Sequence, residues 1–337
     1  MPKKIKANKE DLIQEYINLY NQYGNLTVRK YVEKSKYNNK YITVFGSYPN
    51  LRREALTGSS EQAEHVEDEY LSLFDKPKNI KIEIESKPEH FQILVLGDMH
   101  VPFHDKAVLK KVVKLIQDIK PKVLILNGDF LDLFILGSYS ENSLKDLRTF
   151  KLDYEYEEGN KVLDMLDNVL PENCEKIYLY GNHENRYFRH QKKGDNDKYG
   201  DALLSPHRAL RLQERGYKYL LDYTQDFILL GDVLEFHHGV YANKYFVAKH
   251  LTHSTRNVIV SHIHTMQAFT DPAGREGYSL GFLGDLNYKM FNYAMRTSKL
   301  RWKQGFIIVD FEKSTQNFWV NMVRCKEKKF AYNGKLY

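Results

Sequence analysis

The first apolar pattern along the chain has the spacing of an α-helix. Its apolar positions, three or four residues apart, are Leu12, Ile13, Tyr16, Ile17 and Tyr20. This spacing places them on one face of a helix that ends near Gly24. A second short helical pattern runs over about 27–34, and a third helix is expected to begin near Asn50, after the turn that contains Gly46 and Pro49. Residues 1–58 are therefore predicted to form a small helical domain.

From residue 91 the pattern changes to short apolar runs that alternate with helical stretches. FQILVLG, KVLILNG and KIYLYGN are typical of buried strands, whereas about 105–119 and about 140–169 have helical spacing. Further short runs follow: FILLGD, VLEFHHG, NVIVSHIH, YSLGFLG and GFIIVDF. This alternation predicts an α/β domain over 90–337, with layered β-sheets flanked by helices. The polar and acidic stretch over 59–89 is predicted to be a linker between the two domains.

Composition excludes several classes of protein. A hydrophobic content of 42% in 337 residues is sufficient for a buried core. The chain has no run of about 18 apolar residues and starts with a charged segment, which predicts neither a membrane span nor a secretory signal. Cys174 and Cys325 lie outside any CxxC pattern, so free thiols in the reducing cytoplasm are expected. The sequence leaves the oligomeric state open.

The basic residues are concentrated at the amino terminus. Residues 1–60 carry 11 Lys and Arg against 5 Asp and Glu, which accounts for the whole formal net charge of +6. Such asymmetry indicates a polyanionic partner, most simply nucleic acid. A solvated basic surface is the alternative, and the charge alone does not choose between them.

Five short polar motifs each end an apolar run. They are Gly97-Asp98-Met99-His100, Gly128-Asp129-Phe130-Leu131-Asp132, Gly181-Asn182-His183-Glu184, His237-His238-Gly239 and Ser261-His262-Ile263-His264. Alternate side chains of an extended segment point the same way, so Asp98 and His100 can converge on one point. The same holds for His262 and His264. Carboxylate, amide and imidazole groups are ligands that suit Mn²⁺, Fe, Zn²⁺ or Ni²⁺. The motifs therefore predict a metal site.

Together, over about 91–270, the motifs resemble those of the calcineurin-like metallophosphoesterase superfamily: GDxH, GDxxD, GNHE, a later His and a GHxH-like pair. The resemblance implies two divalent cations, with manganese the first choice. It implies that the ligands of one cation are Asp98, His100, Asp129 and His264. It implies that the ligands of the other are Asp129 as a bridge, Asn182, His238 and His262. His237 stays open as an alternative to His238, and Ser261 stands where the family commonly has Gly.

The resemblance also implies a mechanism. A hydroxide that bridges the two cations attacks the phosphorus, and the cations clamp the phosphoryl oxygens. His183 would protonate the leaving oxygen, with Asp132 orienting its ring. Glu184 is expected to be a structural hydrogen-bonding residue. Arg186 and Arg189 are candidates for binding the phosphate, with two exposed helix arginines as the alternative.

Two features bear on the substrate. Leu133 and Phe134 follow Asp132, where the protein Ser/Thr phosphatases of the superfamily carry Arg-Gly. In addition, residues 23–30 and 44–56 resemble a small helical repeat found beside homing endonucleases. If the resemblance holds, the phosphate contacts include Arg29, Lys30, Arg52 and Arg53.

These features favour a phosphodiesterase or nuclease that acts on DNA. The alternative is a phosphomonoesterase, acting on a small molecule or on a phosphoprotein.

Overall fold

The structure is a computed structural model that describes residues 8–23, 28–37, 51, 55, 78–137, 152–192, 205–288, 291 and 300–337. The chain divides into two compact units. The first is Met1–Asp75 with His190–Leu203, and the second is Lys76–Arg189 with Leu204–Tyr337. Among the described residues, none of the helices combines the length and the apolar character that a membrane crossing requires.

The first unit contains two helices, α1 (Lys9–Tyr23) and α2 (Val28–Lys34), where the apolar spacing predicts them. Their apolar faces form a small core with three further positions along the chain. Its buried members are Leu12, Tyr16, Tyr31, Tyr37, Leu51 and Ala55. Glu15 joins the two helices, because its carboxylate accepts hydrogen bonds from Ser35 Oγ at 2.5 Å and from Lys36 N at 2.9 Å.

The second unit contains most of the secondary structure. The helices that follow in the chain are α3 (Lys106–Ile119), α4 (Leu152–Asp167), α5 (Asn185–Lys192), α6 (Pro206–Ala209) and α7 (Phe246–Thr252). The strands are β1 (Asn79–Lys81), β2 (His90–Leu96), β3 (Val123–Asn127), β4 (Glu175–Leu179), β5 (Tyr217–Leu220), β6 (Phe227–Leu230), β7 (Leu234–His237), β8 (Asn257–Val260), β9 (Gln267–Thr270), β10 (Glu276–Ser279), β11 (Gly305–Glu312), β12 (Phe318–Arg324), β13 (Ala331–Tyr332) and β14 (Lys335–Leu336). Short 3-10 turns lie at Ile84–Ser86 and Phe134–Leu136.

Two six-stranded mixed sheets organise this unit. The first has the order β12-β11-β2-β3-β4-β5, and β2 to β5 run parallel. The second has the order β1-β6-β7-β8-β10-β9, in which β7, β8 and β10 run parallel. A hydrophobic core joins the two sheets, with Ile93 and Ile125 from the first and Ile228 and Phe236 from the second. The predicted α/β fold with layered sheets is confirmed.

The strands that the apolar pattern does not reveal are the edges of the two sheets: β1, β5, β9 and β12. An edge strand has a neighbour on one side only, and β9 and β12 are largely exposed or half-buried. Polar residues therefore interrupt their sequences. The predicted linker over 59–89 extends too far toward the carboxyl terminus. Residues 79–81 form the edge strand β1, which pairs with β6 and belongs to the second unit. The run YSLGFLG is also only partly a strand, since β10 ends at Ser279.

Candidate metal centre

The candidate ligands lie where strands of both sheets end. Asp98, Asp129 and Asn182 follow β2, β3 and β4 of the first sheet within three residues. His238 and His262 follow β7 and β8 of the second sheet. These strands are parallel within each sheet, so their carboxyl ends meet at one edge. Three overlapping groups have ligand atoms within 4.8 Å of one another: Asp98, His100 and His264; His100, Asp129 and His183; and Asp129, His238 and His262.

On one side of this cluster, two imidazoles face each other. Nε2 of His100 lies 2.9 Å from Nε2 of His264, which in turn lies 3.5 Å from Oδ1 of Asp98. Nδ1 of His100 is 3.0 Å from Oδ2 of Asp132. Because Nδ1–H donates to that carboxylate, the lone pair of Nε2 points into the cluster, as a metal ligand requires.

On the other side, His238 faces two oxygens. Its Nδ1 donates to the carbonyl oxygen of Asn127 at 3.1 Å, so its Nε2 is the nitrogen that faces the cluster. That Nε2 lies 3.1 Å from Oδ1 of Asn182 and 3.4 Å from Oδ2 of Asp129. Burial disfavours the imidazolium, but the carboxylate of Asp129 outweighs it and raises the pKa of His238 to about 9. Three electron-rich atoms that converge in this way fit a cation.

The orientations of the two adjacent histidines differ. The side chain of His238 is buried within the cluster, whereas His237 points away and binds Oε2 of Glu235 at 3.1 Å. Nδ1 of His262 is buried and has no hydrogen-bond partner among the described residues, as expected of a nitrogen reserved for a metal ion. The geometry therefore places His238, and not His237, beside Asp129 and His262.

Positive backbone φ angles recur in the same loops. The candidate ligands with positive φ angles are Asp98 (49°), His100 (51°), Asp129 (49°), His262 (79°) and His264 (57°). Non-glycine residues rarely adopt these angles, and such strain is typical of functional sites. Glycines allow the loops to approach closely. A Cβ at Gly181 would lie 2.1 Å from Oδ1 of Asp129, and one at Gly128 would lie 2.3 Å from Nδ1 of His238.

Glu184 connects the loops beneath the ligands. Its buried carboxylate accepts hydrogen bonds from the backbone N–H groups of Asp129, Leu131 and Gly181 at 3.1, 2.9 and 2.9 Å. It also accepts a bond from the hydroxyl of Tyr178 at 2.8 Å. Burial and the nearby charge of Asp129 raise the pKa of Glu184. The residue therefore has the structural position expected from the sequence.

His183 is held between Asp132 and Arg186. Its Nδ1 donates to the backbone oxygen of Asp132 at 2.8 Å and lies 3.4 Å from the Asp132 carboxylate. Nε2 of His183 accepts a hydrogen bond from the guanidinium of Arg186 at 2.9 Å, and Arg186 also donates to the Asp132 backbone oxygen at 2.8 Å. The Asp132 carboxylate contacts His100 more closely than His183, so it orients a candidate metal ligand as well as the candidate acid.

A cavity of about 450 Å³ opens beside the cluster. Its lining includes Asp129, Asn182, His183, Arg186, His262 and His264. Arg189 is exposed, binds Tyr223 and Asn185, and is not part of this lining. Leu133 and Phe134, which stand where the protein Ser/Thr phosphatases carry Arg-Gly, are buried and do not line the cavity. An arginine nevertheless lies beside Asp132, because Arg186 reaches it from the first turn of α5.

Sequence reasoning does not identify three further residues of this region. The backbone oxygen of Asn127 orients His238, whereas the Asn127 side chain donates to the backbone oxygen of His237 and to Oγ of Ser261. A backbone contact leaves no local signal in the sequence. Arg301 and Trp302 line the cavity, but they belong to no motif.

The predicted DNA contacts are largely outside the described residues. Arg52 and Arg53 lie there entirely, and for Arg29 and Lys30 only the backbone, within α2, is described.

Carboxylate, amide and imidazole groups gathered at the strand ends of two packed sheets define a metallophosphoesterase type of centre. The family model for calcineurin-like phosphoesterases matches residues 91–279, more than half of the 337 residues. The chain belongs to this family. The family implies a dinuclear site for divalent cations, and the ligand groups described above fit it.

Solved structures with a similar fold include Vps29 from Cryptosporidium parvum, at 12% identity and a TM-score of 0.39, over 74% of this chain and 96% of that one. Vps29 from Entamoeba histolytica, complexed with zinc, has 10% identity and a TM-score of 0.37, over 73% and 96%. A dimetal phosphatase from Danio rerio has 12% identity and a TM-score of 0.38, over 71% and 96%. No curated protein matches the chain.

Proposed function

We propose that this metallophosphoesterase is a phosphodiesterase or nuclease that cleaves DNA. The observation that carries the proposal is the cavity, which extends from the ligand cluster to residues 242–244 and 301–302. A volume of about 450 Å³ is in the range of pockets that hold a complete small ligand. Substituents on both ester oxygens of a phosphate can therefore be accommodated.

The chain supplies two sets of ligands that share Asp129. One set is Asp98, His100, Asp129 and His264, and the other is Asp129, Asn182, His238 and His262. Divalent cations held there would lower the pKa of water and polarise the phosphoryl oxygens. The protein contributes orientation: Asp132 positions His100, Asn127 positions His238, and the backbone N–H of His262 binds the Asp98 carboxylate at 2.9 Å.

Arg186 and His183 act on the phosphate and on the leaving oxygen. The guanidinium presents a planar set of donors that matches phosphate oxygens better than an imidazole nitrogen. A bound phosphate therefore draws Arg186 away from His183. Nε2 of His183 can then take a proton from solvent water and pass it to the leaving oxygen, while Nδ1 stays bound to the Asp132 backbone oxygen.

The first unit is proposed to bind DNA. It has its own small core, and its basic excess is confined to residues 1–60, because residues 61–75 and 190–203 of the same unit carry 3 Lys and Arg against 9 Asp and Glu. In this proposal Arg29, Lys30, Arg52 and Arg53 contact backbone phosphates, which position a protein without reading sequence.

An activity panel with added Mn²⁺ tests the proposal. The substrates are bis(p-nitrophenyl) phosphate, p-nitrophenyl phosphate, single-stranded DNA and duplex DNA, each repeated with EDTA. We expect EDTA-sensitive cleavage of the diester and of DNA, abolished by Asp129→Ala. A strong preference for the monoester would replace the proposal with a phosphomonoesterase.

A further inference from the structure

The cavity has a second wall, formed by residues that the proposed chemistry does not use. Lys244 and Arg301 are exposed cations that line it together with the candidate ligands. Within the described part of the chain, neither forms an ion pair with a carboxylate. Nζ of Lys244 lies 4.6 Å from the ring centroid of Tyr245. Two cations without anionic partners at the mouth of one cavity form a site for negative charge.

Trp302 adds an aromatic surface to this wall. Its side chain is half-buried and lines the cavity. The ring packs at 74° to His264, with centroids 4.4 Å apart, and at 62° to Phe282, with centroids 5.4 Å apart. These contacts hold the indole in a defined orientation beside a candidate metal ligand. A fixed aromatic ring that shares a cavity with cations is the combination that binds single-stranded nucleic acid, because every base offers a face for stacking.

We propose that Lys244, Arg301 and Trp302 form a subsite for the nucleotide next to the scissile phosphate of single-stranded DNA. Lys244 and Arg301 bind flanking phosphates, and Trp302 stacks on a base. The inference rests on the proposed function for the reaction at this site, but it concerns only the binding of the DNA strand.

A single strand is favoured over a duplex because the ligand cluster is recessed. Asp98, His100 and His238 have no exposed surface. A splayed strand can bring one phosphate to such a point, whereas a rigid duplex holds its phosphates on the outside of a wide cylinder.

The chain has two tryptophans, which allows a local measurement. Trp319 is 54% exposed on the edge strand β12 and does not line the cavity. The variant Trp319→Phe of the full chain leaves Trp302 as the single indole reporter. We expect saturable quenching of its fluorescence when pentathymidylate is added in EDTA, and much weaker quenching with a short duplex. Quenching by neither, or equally by both, would overturn the proposal.

Charge variants in the same background test the two cations. Replacing both, Lys244→Ala with Arg301→Ala, is expected to weaken pentathymidylate binding by at least about tenfold. It should also reduce the slope of log affinity against log salt by about 1.4, because two phosphate contacts are lost. The control replaces two exposed lysines of α3, Lys110→Ala with Lys114→Ala, and removes the same charge elsewhere. Equal losses in the two double variants would mean that net charge, and not a subsite, attracts the strand.

The two proposals fail separately. If pentathymidylate quenches Trp302 but no diester is cleaved with Mn²⁺, the subsite stands and the proposed function is wrong. If the diester is cleaved but Trp302 does not respond, the function stands and the subsite is wrong.

Discussion

The guanidinium of Arg186 donates a hydrogen bond to Nε2 of His183 across 2.9 Å. A nitrogen that accepts from an arginine has no proton to give, so His183 as described is not ready to act as an acid. In the proposed function the pair links phosphate binding to proton transfer, because Arg186 must move before His183 can act.

Arg186→Ala is expected to lower kcat/KM for bis(p-nitrophenyl) phosphate about a hundredfold, because a charged donor to the phosphate is lost. Steady-state kinetics with added Mn²⁺ measure this change in kcat/KM. Arg189→Ala is the matched control, three residues along α5, exposed and outside the cavity. Its kcat/KM should stay within about twofold of the parent. Similar losses in both variants would contradict the assignment of Arg186.

The adjacent histidines offer a second matched pair. His238→Ala removes a nitrogen that faces Asn182 and Asp129, whereas His237→Ala removes one bound to Glu235. We expect His238→Ala to bind about one metal ion fewer per chain and to lose activity. His237→Ala should keep both. Elemental analysis of the metal content after dialysis distinguishes the two variants. Loss of metal in His237→Ala but not in His238→Ala would make His237 the ligand.

Asp132→Asn tests the orientation of His100. The amide keeps the size of the side chain but loses the charge that faces Nδ1 of His100 at 3.0 Å. Loss of such a partner lowers metal affinity by about 10- to 100-fold. Isothermal titration with Mn²⁺ measures the change. If activity falls while affinity is unchanged, Asp132 acts through His183 alone.

Glu184→Gln tests the connection beneath the ligands. One carboxylate oxygen that accepts from backbone N–H groups becomes an NH₂ donor, so a buried donor loses its partner. The expected cost is about 2 kcal/mol of stability. Calorimetry should show a lower Tm than the parent. The exposed Glu214→Gln variant should have the same Tm as the parent. An unchanged Tm for Glu184→Gln would refute the role of Glu184 in connecting the loops.

The sequence by itself determined the α/β class and the identity of the candidate ligands. Both the fold class and the candidate ligands follow from local patterns in the sequence. Strands β2, β3 and β8 are mostly buried, so their residues must be apolar. The ligand motifs follow the strands directly, and strand order carries them to one edge. The edge strands β1, β5, β9 and β12 lack this signal, because one side of each has no neighbouring strand.

Only the tertiary structure decided which groups face one another. The backbone oxygen of Asn127 and Nδ1 of His238 are hydrogen-bonded although 111 residues separate them. Arg301 and Trp302 line the cavity although they lie beyond the last motif in the chain. Arg186 reaches Asp132 across the loops that follow two neighbouring strands. Such contacts depend on strand order and side-chain direction in space. The spacing of residues along the chain determines neither strand order nor side-chain direction. Motifs therefore identify the candidate ligands, but tertiary packing determines which groups those ligands contact.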